Sequence, residues 1–231
     1  MTKIYCDIAE LKLIKKFSKK KITKGFTTNP SLMRIAGAKD YKLYSKKIIK
    51  LCGTKPVSLE VFGDTYSEIK KQALQINTWG KNVYVKVPIA NSNGKFMGKI
   101  INELNNKSIK LNITAVYSAK QTEKILKNIN KKTKVIISIF AGRAGDAGKD
   151  PVPEFVKSIK LAEKFKNVEI LWASVREPYN YLQAKQLGCH IITIPPSIIE
   201  KIEKFGKSFE QLTHETVKAF LVDSRKSRFK I

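Results

Sequence analysis

The chain is poor in cysteine, histidine and arginine, and it has no apolar run of the ~20 residues that a membrane span needs. Its three cysteines, Cys6, Cys52 and Cys189, are odd in number and scattered, which argues against a disulfide framework and against metal-ligand spacing. They read as small buried residues of a reducing compartment. The two histidines, His190 and His214, lie far apart; the first is expected in a strand and the second on a helix surface, and no metal is expected. An acid, Asp7, arrives before a signal-type apolar region can form. No targeting segment and no membrane contact are expected, and the cytoplasm is the expected compartment. The glycine-rich stretch from Gly142 to Asp150 lacks the Gly-Lys-Ser/Thr ending of a P-loop, so it reads as a flexible rim and not a nucleotide cradle.

Acids are scarce too. Nineteen of them face 45 basic residues, a formal charge of +26. Clustered cations would suit a phosphate backbone. Here lysines recur on nearly every amphipathic segment, as at Lys15-Lys16, Lys46-Lys47, Lys70-Lys71 and Lys131-Lys132. Arginine, the better fork for phosphate and bases, occurs only at Arg34, Arg143, Arg176, Arg225 and Arg228. The pattern reads as composition bias on solvated helix faces, and no nucleic-acid partner is expected. The positive field would still draw small anionic substrates.

What is present is an alternation. Eight β-rich runs recur: Lys3–Asp7, Gly25–Thr27, Val57–Val61, Val83–Val87, Ile109–Ile113, Val135–Ser138, Val168–Ala173 and His190–Ile194. Segments of helical period separate them. Tyr41, Tyr44, Ile48 and Leu51 share one face, and Thr122, Ile125, Leu126 and Ile129 another. Later helices are predicted at Val152–Phe165, Tyr179–Leu187, closed by Gly188, and Phe209–Val222. Eight strands alternating with helices in 231 residues predict a single-domain (β/α)8 barrel over 1–231, with a C-terminal helix at about 208–222. A doubly wound open sheet is the alternative.

A barrel places its chemistry at the C-terminal ends of its strands. Unusual polar residues gather there: Asp7, Asn29, Glu60, Lys86, Asn112 with Thr114, Ser138, and Ser174 with Arg176. Lys86 is the most telling, a cation inside the strand-like run Val83-Tyr84-Val85-Lys86-Val87-Pro88. An ammonium left unpaired in such a place tends to lose its proton and become a nucleophile, as imine-forming chemistry requires. Each residue also has a bland reading as a cap, a backbone partner or a surface ion pair. The recurrence at seven of eight strand ends favours a site.

The chain resembles the transaldolase family, most closely its short members, over nearly its whole length. The resemblance rests on Gly25-Phe26-Thr27-Thr28-Asn29-Pro30-Ser31-Leu32, Ser58-Leu59-Glu60-Val61, Val83 to Pro88, Leu111-Asn112-Ile113-Thr114-Ala115, Ser138-Ile139-Phe140-Ala141-Gly142-Arg143 and Trp172-Ala173-Ser174-Val175-Arg176. It implies that Lys86 forms an imine with a ketose phosphate and that Asp7 moves the C4 hydroxyl proton. It further implies that Glu60 and Thr114 hold the water of dehydration. Thr28, Asn29, Asn112, Ser138 and Phe140 would line the substrate, and Arg143, Ser174 and Arg176 would take its phosphate. No cofactor is implied.

The activity implied is transfer of a dihydroxyacetone unit from fructose 6-phosphate or sedoheptulose 7-phosphate to an aldose phosphate. The related fructose-6-phosphate aldolases carry glutamine and tyrosine where this chain has Glu60 and Phe140, so the resemblance favours transfer over release. An aldolase, or a non-catalytic sugar-phosphate-binding homologue, are the alternatives. Short relatives often assemble into rings, which implies a homo-oligomer (dimer, pentamer or decamer). The chain departs from larger members in lacking their extra helical regions.

Overall fold

The computed structural model describes residues 1–228. Its centre is a closed barrel of eight parallel strands in sequence order, with the first paired to the last. These are β1 (Lys3–Asp7), β2 (Thr23–Thr27), β3 (Val57–Glu60), β4 (Val83–Pro88), β5 (Leu111–Val116), β6 (Val135–Phe140), β7 (Val168–Ala173) and β8 (Ile191–Ile194). Parallel strands covered on both faces favour branched apolar residues, and Val57, Val83, Val85, Val87, Ile113 and Ile137 are fully buried.

The helices lie outside. They are α1 (Leu11–Ser18), α2 (Pro30–Ile35), α3 (Tyr41–Cys52), α4 (Tyr66–Asn77), α5 (Gly98–Asn106), α6 (Ala119–Leu126), α7 (Ala141–Asp146), α8 (Val152–Ala162), α9 (Tyr179–Gln186), α10 (Pro196–Ile202) and α11 (Phe209–Ser227). Local chemistry starts and stops them. Thr65 with Glu68, and Ser118 with Gln121, form reciprocal capping boxes on α4 and α6. Gly188, at φ +72°, takes the left-handed conformation that ends α9. Among the described residues no helix is long and apolar enough to cross a membrane.

The barrel interior changes character along its axis because side chains alternate in and out with period two. Near the strand starts Tyr5, Tyr84, Ile136, Leu171 and Ile191 form a buried apolar plug. Gly25 leaves room for it, since a Cβ there would sit 2.6 Å from the Tyr5 ring. Two residues further along the same strands stand Asp7, Lys86, Ser138, Ala173 and Thr193, which all line one cavity. The plug closes one end, and the other end is polar and open.

Several element ends shift by one to three residues, as where α8 stops at Ala162 and not Phe165, and three differences are larger or of another kind. β5 starts at Leu111 and continues to Val116, with a register shift after Ile113 where Ala115 takes φ +60°. The glycine-rich rim is a short helix, α7, and not a loop throughout. It is tied down because Asp146 pairs with Arg176 and because Gly142 packs on the Ser174 carbonyl, where a Cβ would lie 1.7 Å from the oxygen. The last helix runs five residues beyond Val222, and no residue of α11 is buried.

Candidate active site

Among the described residues Lys86 is the only buried lysine, and it is 8% exposed. The sequence reading left its ammonium unpaired, but the fold gives it partners. Glu60, its neighbour on β3, places a carboxylate oxygen 3.0 Å from Nζ, and the Thr28 carbonyl accepts from Nζ at 3.3 Å. Glu60 is fixed through its backbone: the Tyr41 hydroxyl accepts from its N–H and donates to its carbonyl, both at 2.9 Å. Lys86 and the strand-end groups open into a cavity of about 260 Å³ at the polar end of the barrel.

Asp7 enters this cavity from β1. The Thr27 hydroxyl donates to its carboxylate at 2.7 Å, and the Thr193 hydroxyl lies 2.5 Å from that of Thr27. Enclosure pushes the Asp7 pKa above the usual carboxylate range; the Thr27 hydrogen bond and the Lys86 charge oppose the rise, and the Glu60 charge adds to it. Thr27 has one proton. With Asp7 ionised that proton points at the carboxylate, so Thr193 donates to Thr27, and the three groups form a directed chain.

A second chain crosses the barrel floor of the cavity. Ser138 donates to the Asn112 carbonyl oxygen at 2.7 Å, and the Asn112 amide donates to Ser58 at 3.0 Å. Ser58 thereby orients the amide of Asn112. Thr114 stands two residues along β5, its hydroxyl buried and without a hydrogen-bond partner among the described residues.

The rim carries two guanidinium groups. Arg143 lies 5.6 Å from the centre of the Phe140 ring, and Arg176 forms a fork on the Asp146 carboxylate. Both line the cavity, as do Phe140 and Ser174, the latter at φ +65°. A non-glycine residue in that left-handed conformation is strained, and the contact with Gly142 holds it there. Two guanidinium groups beside a hydroxyl are suited to a phosphate dianion, with Asp146 holding that of Arg176 in place.

Of the twelve residues singled out from sequence, nine line the cavity: Asp7, Asn29, Lys86, Asn112, Ser138, Phe140, Arg143, Ser174 and Arg176. Asn29 also caps α2, accepting from the Leu32 N–H at 2.9 Å. Glu60, which contacts Lys86, and Thr114 are not among the lining residues. Thr28 turns away, its hydroxyl donating to the Ser58 carbonyl at 2.9 Å. Sequence reasoning passed over Thr27, Thr193, Ser58, Tyr41 and Asp146. For Thr27 and Thr193 the signal was available, since both occupy inward positions of the period-two pattern.

A parallel (β/α)8 barrel whose cavity holds a buried lysine paired with Glu60, with Asp7 in its lining and two guanidinium groups at its rim, is suited to the chemistry of the aldolase or aldehyde-ketone transferase class. The comparisons agree. A family model described as transaldolase/fructose-6-phosphate aldolase matches residues 4–231. A protein of Nitrosopumilus maritimus named "Probable transaldolase" is 34% identical over 230 residues, covering 92% of this chain and 97% of its own length. One of the same name from Dehalococcoides mccartyi is 30% identical, with 96% of this chain and 97% of the relative covered. The solved structure of orotidine 5'-monophosphate decarboxylase from Metallosphaera sedula superposes with a TM-score of 0.56 at 10% identity, covering 88% of this chain and 96% of that one; the likeness is one of fold. The chain belongs to the transaldolase/fructose-6-phosphate aldolase family.

Proposed function

We propose that the protein is a transaldolase that moves a dihydroxyacetone unit from fructose 6-phosphate or sedoheptulose 7-phosphate to an aldose phosphate, through an imine on Lys86. The reading rests on one observation: the Lys86 amine opens into a cavity that Asp7 also lines, with the Glu60 carboxylate 3.0 Å from its nitrogen. Glu60, 3.0 Å away, is placed to receive the proton that Lys86 must lose before its nitrogen attacks the C2 carbonyl. The carbinolamine then expels water, for which Glu60 and the unpartnered Thr114 hydroxyl are the holding groups. Asp7 takes the C4 hydroxyl proton as the C3–C4 bond breaks. The aldehyde leaves and the electron pair stays as an enamine on Lys86. An incoming aldehyde reverses these steps and regains the proton from Asp7.

Asn29, Asn112 and Ser138 hold the hydroxyls of the retained fragment in this scheme, with Thr28 supporting from the wall. Arg143, Ser174 and Arg176 take the phosphate. The chemistry needs no metal and no cofactor. Phe140 favours transfer over release, because a phenyl ring offers the enamine no proton and no anchor for water. The proposed setting is the cytoplasm, and the proposed assembly a homo-oligomer.

Borohydride reduction in the presence of fructose 6-phosphate tests the reading. The expected result is a covalent adduct of a three-carbon unit at Lys86 by peptide mass, absent from Lys86→Met along with turnover. Turnover persisting in Lys86→Met would refute it. Free dihydroxyacetone released as fast as transfer to erythrose 4-phosphate would assign the site to aldol cleavage instead.

A further inference from the structure

The lysine surplus is sorted by the fold. The seven turns that lead from a helix into the next strand carry thirteen lysines and one acid, Glu163. The turns that lead out of the strands, around the candidate active site, carry two basic residues and three acids. All seven helix-to-strand turns lie on the N-terminal face of the barrel, opposite the cavity. Seven helix C-termini on this face would be offset by roughly 3.5 positive charges, at about half a charge each. Thirteen lysines exceed that demand more than threefold. Of the thirteen, only Lys20 and Lys127 have a carboxylate partner among the described residues, in Glu203 and Glu123.

The surface is also shaped. Lys81, Lys110 and Lys134 line a hollow of about 580 Å³ between the turns before β3, β4, β5 and β6, with no carboxylate in its wall. Lys110 is held there by a hydrogen bond to the Lys81 carbonyl and lies 5.3 Å from the Tyr84 ring centre. Its pKa is lowered, first by burial and then by the Lys134 charge. This is a site with cations close together and no counter-charge.

We propose that the N-terminal face of the barrel binds the phosphate backbone of nucleic acid without sequence preference. Lysines supply point charges and not the forks that read bases. None of the seven turns bears an exposed large apolar side chain, so the face has neither a platform for stacking bases nor a wedge for entering lipid. A concave basic hollow within a wider positive surface receives a protruding strand of phosphates better than a flat bilayer.

Fluorescence anisotropy with the full chain and a labelled duplex of about 20 base pairs, between about 50 and 200 mM salt, tests this. The triple variant Lys81→Gln, Lys132→Gln, Lys134→Gln should lose about 2.7 from the slope of log K against log salt, at about 0.9 per contact, and so bind about a hundredfold more weakly at about 200 mM salt. The charge-matched triple Lys42→Gln, Lys46→Gln, Lys71→Gln, on the outer faces of α3 and α4, should bind like the parent. All six side chains are exposed, and matching melting curves will show that both variants fold. Saturating fructose 6-phosphate should leave the complex intact, since the two ends of the barrel are separate. Equal losses in the two triples, displacement by the sugar phosphate, or capture by phosphatidylserine vesicles without nucleic-acid binding would each overturn the proposal.

Discussion

Replacing Thr27 by valine removes one hydroxyl and keeps the side chain's shape. Thr27 is 3% exposed, and its hydroxyl is the donor to Asp7 at 2.7 Å. A hydrogen bond to an ionised group contributes about 1.5–3 kcal/mol, and one pKa unit corresponds to about 1.4 kcal/mol. Asp7 in Thr27→Val should therefore hold its proton to a pH about 1–2 units higher than in the parent. In the proposed mechanism Asp7 must be ionised to take the C4 proton, so activity falls on the acid side and recovers at higher pH. The assay is the pH dependence of kcat/KM for transfer, whose acid limb reports the free enzyme's base. The limb should move alkaline by that amount, with the plateau largely kept. Thr27→Ser, which restores the donor, should return it. Thr193→Val should shift the limb in the same direction by less, because it removes only the donor behind Thr27. An acid limb that stays in place while the plateau collapses would show that Thr27 serves packing and not the ionisation of Asp7.

Other outcomes follow from the same geometry. The Asp7 pKa is raised in the fold, so the folded state binds the proton more tightly than the unfolded chain, and stability falls as pH rises through that interval. Asp7→Asn should accordingly melt higher than the parent at pH 7, lose this advantage at acid pH, and have no transfer activity; a lower melting temperature at pH 7 would refute the sign. Gly142→Ala places a Cβ 1.7 Å from the Ser174 carbonyl oxygen; it should cost about 1–3 kcal/mol in chemical denaturation and raise KM for phosphorylated substrates more than it lowers kcat. Phe209, Val217, Phe220 and Leu221 of α11 are exposed in the described chain. Light scattering should give a mass that is a multiple of 26.2 kDa, and removal of residues 208–231 should lower the order of assembly.

Much of the architecture was readable because parallel barrels impose two strong periods. Inward positions of strands repeat every second residue, so Lys86 in an apolar run and Asp7 at a strand end stood out as residues of the wrong polarity. Thr27 and Thr193 did not stand out, because threonine is also an ordinary β-former. Only the closure of β8 onto β1, itself paired with β2, brings their hydroxyls to 2.5 Å. Asp146 was hidden for another reason. Its glycine-rich surroundings argued for a flexible rim, and its order comes from Arg176, thirty residues away in sequence.

The lysines show the same limit from the opposite direction. Along the chain they recur too often to mark a place, and an even spread over helix faces is the natural reading. A (β/α)8 barrel sends every helix-to-strand turn to one end and every strand-to-helix turn to the other. Residues as distant in sequence as Lys19 and Lys166 are thereby gathered on one surface, while Glu10, Asp64 and Glu177 go to the mouth beside the candidate site. Nearly half of the net charge, about +12 of +26, thus sits in the turns at one end of the molecule. The mouth is close to neutral overall, so its pull on a sugar phosphate depends on Arg143 and Arg176 at short range more than on the field of the whole protein. Neutralising either arginine should therefore weaken substrate binding at any ionic strength, whereas neutralising lysines on the far face should leave KM unchanged.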